Sequence, residues 1–233
     1  MKNNAYAIFA LFCFITTAPA VTVTNGSFEN LDSSYSEDPG WDLMSNNTAP
    51  GWGNFNSSDW TESAGPENLY SAPYGSLFML SAATGTFDVG VYREGIDQLV
   101  TGFVVDSVYE ISISHVNGLR YNAQTLSYEG VGESGGWQVL VDGTSLGLLA
   151  STNDNSTPTL AWTPNWQTSS VTFTATSASH NIQFVAYKPD GIQDPTFQFI
   201  DNVHVQLIPE PSAALLIGFG CLQFLQRQRR IRG

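Results

Sequence analysis

The chain has 233 residues, with 8 Lys and Arg against 21 Asp and Glu for a formal charge of −13. This length allows one all-β domain or two small domains with a sizeable core, and the acidic balance excludes a nucleic-acid-binding surface, which needs Lys and Arg to neutralise phosphates. The two cysteines, Cys13 and Cys221, lie in apolar runs near either end, so no disulfide staples the sequence between them.

In chain order, residues 1–20 have the layout of a secretory signal: Lys2, the apolar run AIFALFCFITTA, then Ala18-Pro19-Ala20 as a small-residue cleavage site. The run is shorter than the roughly 20 residues of a transmembrane helix, so a mature chain beginning at Val21 is expected. Bulky Leu11 and Phe12 ahead of Cys13 argue against a lipidation box.

Between Val21 and Ile208, twenty carboxylates stand against Arg93, Arg120 and Lys188, a formal charge of −17. Such a surface is solvated and can attract divalent cations. The first strand candidate is VTVTNGSF at 21–28. A long connection from Asp32 to Leu69 follows, carrying Trp41, Trp52 and Trp60 among Asn54, Asn56 and Asp59. Aromatic faces beside amides and carboxylates are the chemistry of sugar stacking, which makes the three tryptophans candidate glycan-binding residues; packing is the competing use. Further strands are expected at GSLFMLS (75–81), VYEISISHV (108–116), HNIQFVAY (180–187) and FQFIDNVHVQL (197–207). GWQVLVDGTSLG (136–147) reads as a hairpin turning at Asp142-Gly143. SSVTFTAT (169–176) alternates Val171, Phe173 and Ala175 with Ser170, Thr172, Thr174 and Thr176, as a half-buried strand requires. Short strands, Gly- and Asn-rich loops and no amphipathic helix point to an antiparallel β-sandwich.

Catalytic motifs are thin. Gly132 to Gly136 matches G-x-S-x-G but lacks the strand, turn and helix of a nucleophile elbow. His115, His180 and His204 fall in strand-like segments without triad or zinc spacing. Asn153 to Thr157 lacks the glycine and the later Glu of a calcium-binding loop. No catalytic residue is assigned, although two facing carboxylates would suffice for glycoside hydrolysis.

The tail runs Pro209-Glu210-Pro211, an apolar stretch at 212–226, then Arg227, Arg229, Arg230 and Arg232. As a helix that stretch spans roughly 22 Å, short of the ~30 Å hydrocarbon core, and the arginines would stay cytoplasmic. These three ordered features resemble the PEP-CTERM sorting signal of Gram-negative bacteria. The resemblance implies a transient membrane anchor, processing by an exosortase, and delivery to the cell surface or extracellular matrix. Residues 21–208 carry a second resemblance. NGSFEN (25–30), PGW (50–52), DWTE (59–62), YGSLFMLS (74–81) and FIDNVHV (199–205) are similar, in that order, to galactose-binding-like jelly rolls, which include carbohydrate-binding modules. This implies a sandwich over 21–208 and a structural Ca2+ joining first and last strands through Glu29 and Asp201. The expectation is a non-enzymatic binding or structural module for surface polysaccharide, with a polymer hydrolase and a ligand-free surface protein as alternatives.

Overall fold

A computed structural model of the chain describes residues 20–30, 42–43, 49–55, 59–62, 77–84, 92–118, 120–122, 127–129, 135–151, 165–188 and 196–209. Trp41, the signal segment 1–19 and the sorting segment beyond Pro209 lie outside the described residues.

Fourteen strands and no helix occur among the described residues. The first six are β1 (Asp42–Leu43), β2 (Gly53–Phe55), β3 (Asp59–Glu62), β4 (Leu77–Thr84), β5 (Tyr92–Arg93) and β6 (Gly95–Thr101). Next come β7 (Val108–Gly118), β8 (Arg120–Asn122), β9 (Ser127–Glu129) and β10 (Gly136–Val141). The chain ends in β11 (Thr144–Ala150), β12 (Gln167–Thr174), β13 (Ser179–Tyr187) and β14 (Thr196–Leu207). A seven-stranded sheet has the order β1-β3-β4-β14-β7-β12, with β5 also on β4, and a five-stranded sheet has the order β11-β10-β13-β6-β2. All pairings are antiparallel, including the small β8-β9 ribbon. The all-β antiparallel sandwich expected from the sequence is therefore present.

Alternation builds the core. In β13 every second residue from His180 to Ala186 is buried, and β7 turns Tyr109, Ile111 and Ile113 to the same interior. Trp137 of β10 is fully buried and reaches across to donate its indole N–H to the Phe199 carbonyl of the opposite sheet, at 3.2 Å. The β10–β11 turn uses Asp142 (φ 50°) and Gly143 (φ 77°), the paired positive-φ geometry of a two-residue hairpin.

Two expectations are corrected. VTVTNGSF is not a strand: it runs as coil into a turn at Thr24–Ser27. The buried Gln98 side chain stands in for a partner strand, accepting from the Thr24 N–H (2.8 Å) while its Nε2 donates to the carbonyls of Thr24 (2.8 Å) and Gly51 (2.9 Å). The Asp32–Leu69 connection, in turn, contains β1, β2 and β3. In the Thr24–Ser27 turn region Phe28 takes φ 56°, a left-handed conformation costing roughly 1 kcal/mol, offset by complete burial of its ring against Trp52 at 5.4 Å.

Candidate functional site

The inward rows of the strands change chemistry along the sandwich. In β7 they read Tyr109, Ile111, Ile113, His115, Asn117; in antiparallel β14 they read Val205, Val203, Ile200, Gln198, Thr196. β13 gives Ile182, Phe184, Ala186 and then Lys188, and Ala186 stands beside Glu94, whose carbonyl accepts from the Ala186 N–H at 2.9 Å. β12 passes from Phe173 and Val171 to Ser169 and Gln167. Every one of these rows becomes polar toward the same end, where β14 begins. There Ser81, Glu94, His115, Asn117, Ser151, Lys188, Thr196 and Gln198 are each 7% exposed or less. Buried polar groups need partners, so so many inside one end of a small sandwich calls for an explanation.

Four of them satisfy one another. Ser151 Oγ donates to Gln198 Oε1 (3.1 Å), and Gln198 Nε2 donates to Asn117 Oδ1 (2.7 Å). With its proton committed to Gln198, Ser151 Oγ must accept from His115 Nδ1 at 2.8 Å. The His115 Nε2 is then the acceptor facing Ser169 Oγ (2.9 Å) and Gln167 Nε2 (3.2 Å). This fixes the neutral Nδ1–H tautomer. Burial lowers the His115 pKa from 6.5 to about 4, so the imidazole is uncharged near neutrality. Gly135 belongs to the same arrangement: a side chain there would run into Gln198 Nε2 and the Tyr187 carbonyl.

Thr196 is the exception. Its residue is 1% exposed, it shares the inward face with Gln198 and Ile200, and its Oγ1 has no hydrogen-bond partner. An isolated buried hydroxyl is costly unless something else meets it. This hydroxyl lies on the same inward row as the Gln198 amide of a neutral amide and imidazole network, and Glu94 and Lys188 are buried toward the same end. The hydroxyl and amides can donate and accept hydrogen bonds in several directions.

The residues singled out from sequence lie elsewhere. Trp52 is 4% exposed, packs on Phe28 and at 6.2 Å on Phe184, and donates Nε1–H to the Asn25 carbonyl at 2.9 Å. Its faces are consumed by the core, which corrects its reading as a sugar-stacking residue. Trp60 lies in β3, in register with Met79 of β4. Asp201 is fully buried at the bulge of β14, where Oδ1 accepts from the Asn202 N–H at 2.6 Å. Glu29 follows the turn that is tied to β14 by the Val203 N–H and the Gly26 carbonyl, 2.8 Å apart. A cleft of about 300 Å3 lies beside that tie, between residues 21–27 and 202–205. Among the described residues no three His, Cys, Asp or Glu side chains form a metal-binding group; these two carboxylates alone provide a fraction of the six to eight oxygens calcium takes. Asn117, Lys188, Thr196 and Gln198 were not anticipated, though the inward positions of "SHVN" and "VAYK" carried the signal.

No family model matches the chain, and no curated protein matches it by sequence. Solved structures do. A cyclase from Fischerella sp. TAU in complex with 4-(1H-indol-3-yl)butan-2-one superposes with a TM-score of 0.54 at 16% identity, over 82% of this chain and 98% of that one. The Stig cyclase Fisc from Fischerella sp. TAU gives 0.52 at 17% identity over the same shares. The CBM22-1 xylan-binding domain from Paenibacillus barcinonensis Xyn10C gives 0.44 at 12% identity, over 83% and 99%. At such identities the first two establish a shared fold. They also correct the expectation of a non-enzymatic domain: this sandwich is an architecture that enzymes use.

Proposed function

We propose that the domain binds a hydroxyl-rich ligand, an extracellular polysaccharide, at the polar end of its interior. The observation carrying this reading is the buried, unpartnered Thr196 Oγ1 beside a neutral amide network. Sugar hydroxyls both donate and accept, and uncharged amides and hydroxyls meet them without the desolvation cost of an ion. In this reading the signal segment 1–20 exports the chain. Pro209, Glu210, Pro211, the apolar run and Arg227, Arg229, Arg230 and Arg232 form a sorting signal handled by an exosortase at the inner membrane, delivering the domain to the cell surface or matrix. Trp41 and Trp60 are proposed as stacking residues, and Glu29 and Asp201 as carboxylates that would join a structural Ca2+.

The test is a glycan panel, including the producing cell's own polysaccharide, read by calorimetry on the full chain. Binding that falls at least tenfold in Thr196→Val supports the reading, and silence across the panel refutes it.

Buried Glu94 and Lys188 favour a second reading, acid–base catalysis on a small organic molecule at the same end. The likeness to cyclases, one of them in complex with an indole-bearing ketone, motivates trying indole-bearing substrates. Turnover abolished by Glu94→Gln in a chain that still folds would establish it, and turnover unchanged by that substitution would exclude Glu94 from the role.

A further inference from the structure

The end of the sandwich opposite the polar site gathers apolar surface. Six large hydrophobic side chains are exposed among the described residues, and four of them lie here: Val104 (37%), Val105 (49%) and Val108 (36%) in or beside the β6–β7 loop, and Leu207 (42%) at the close of β14. They are neighbours through the backbone, since Leu207 is in register with Tyr109 and the Ile208 N–H donates to the Val108 carbonyl at 2.9 Å.

Both ends of the described domain also emerge here. Ala20 lies against Gly102, its carbonyl oxygen 3.3 Å from where a Cβ of that glycine would stand. Pro209 follows two residues after Leu207. The two most apolar stretches of the sequence, the AIFALFCFITTA run and residues 212–226, are therefore joined to the sandwich at one end, the end that exposes the valines.

We infer that this end is a membrane-resting surface: while either terminal segment is in the bilayer, Val104, Val105, Val108 and Leu207 sit in its interfacial layer and the polar site points away from it. The inference rests on the proposed membrane role of the two terminal segments and adds the orientation of the domain. The attraction is apolar, because the domain carries a formal −17, and Asp106 and the half-exposed Asp142 stand at this end. Anionic headgroups would be repelled, so a neutral lipid surface is the fitting partner. Few-residue apolar insertion of this kind reaches the boundary between headgroups and acyl chains.

The test uses the full chain with Cys13→Ala and Cys221→Ala, one new cysteine at Val105→Cys or Asn165→Cys, and an environment-sensitive fluorophore on it. Both positions are exposed, the second just before β12 at the polar end. The probe membrane is phosphatidylcholine vesicles containing spin-labelled lipid as quencher. The expected result is blue-shifted emission and severalfold stronger quenching at position 105 than at 165. Chain that floats with the vesicles but is equally unquenched at both positions overturns the orientation while leaving the anchoring reading intact. Chain that does not float overturns both.

Discussion

Acid should destabilise this protein through a single buried imidazole. His115 is fully buried in the network with Ser151, Ser169 and Gln167, and burial lowers its pKa from 6.5 to about 4. A second proton would go onto Nε2, which already faces the Gln167 amide donor at 3.2 Å. Because the folded pKa lies below the unfolded one, the unfolded chain binds the extra proton first as pH falls. The contribution of His115 is complete above pH 6.5 and is lost progressively down to the folded value. Between 6.5 and about 4 the loss amounts to about 3 kcal/mol, at roughly 1.4 kcal/mol per pH unit. That is a large share of the 5–15 kcal/mol typical of a domain. Urea unfolding of the full chain, followed by the fluorescence of buried Trp52 and Trp137, measures it at several pH values. His115→Gln keeps a donor and an acceptor in place but does not titrate, so its stability curve should be flatter by one proton in that window, with all other groups cancelling between the two curves. Parallel curves, or an imidazole NMR titration midpoint at 6 or above, would refute the reasoning.

Three further outcomes follow from the geometry. Gly135→Ala should cost about 1–3 kcal/mol by overpacking against Gln198, and pairing it with Gln198→Ala should recover part of the loss in a double-mutant cycle. Desolvation, the largest single influence on Asp142, raises its pKa, but the hydrogen bonds to His180 and the Asn181 N–H and the His180 charge together outweigh it and lower the pKa; its contribution is present above the ordinary carboxylate range and fades as pH falls through the lowered value. Being half exposed, Asp142→Asn should cost no more than about 1 kcal/mol at neutral pH, with the difference from wild type vanishing in strong acid. If Ca2+ joins Glu29 and Asp201, a chelator should lower the melting temperature and Asp201→Asn should abolish that response; a chelator that changes nothing disposes of the proposal.

The strands were legible because their alternation is a local property: Ile182, Phe184 and Ala186 announce β13 without reference to any other segment. The polar site was not, because it exists only across strands. His115 and Asn117 look like ordinary polar residues of β7 until pairing sets Asn117 beside Gln198 and His115 beside Ile200. β14 adds a second obstacle, since the register shift between Asp201 and His204 moves the inward positions from Ile200 to Val203 and Val205. A strict two-residue period read through "FIDNVHV" assigns half of that strand to the wrong face. Gln98 hid in the same way: a polar residue on the inward face of β6 becomes intelligible only once the N-terminal coil is laid beside it.

The contrast between Thr196 and Gln198 separates what the fold needs from what a ligand would need. Gln198 is held on both sides, by Ser151 and Asn117. Gln198→Leu therefore removes the acceptor of the Ser151 hydroxyl and the donor to Asn117 Oδ1, at a cost of about 1–3 kcal/mol. Thr196 Oγ1 gives nothing to the folded chain. Thr196→Val keeps the shape, removes an unmet hydroxyl, and should leave stability unchanged or raise it by about 1 kcal/mol. A residue whose removal stabilises the fold while weakening binding behaves as a functional site does when it trades stability for activity. Urea unfolding of the two variants beside the binding measurement decides the matter. If Thr196→Val is destabilised as much as Gln198→Leu, the hydroxyl serves the fold, and the polar end loses the group on which its reading as a binding site depends.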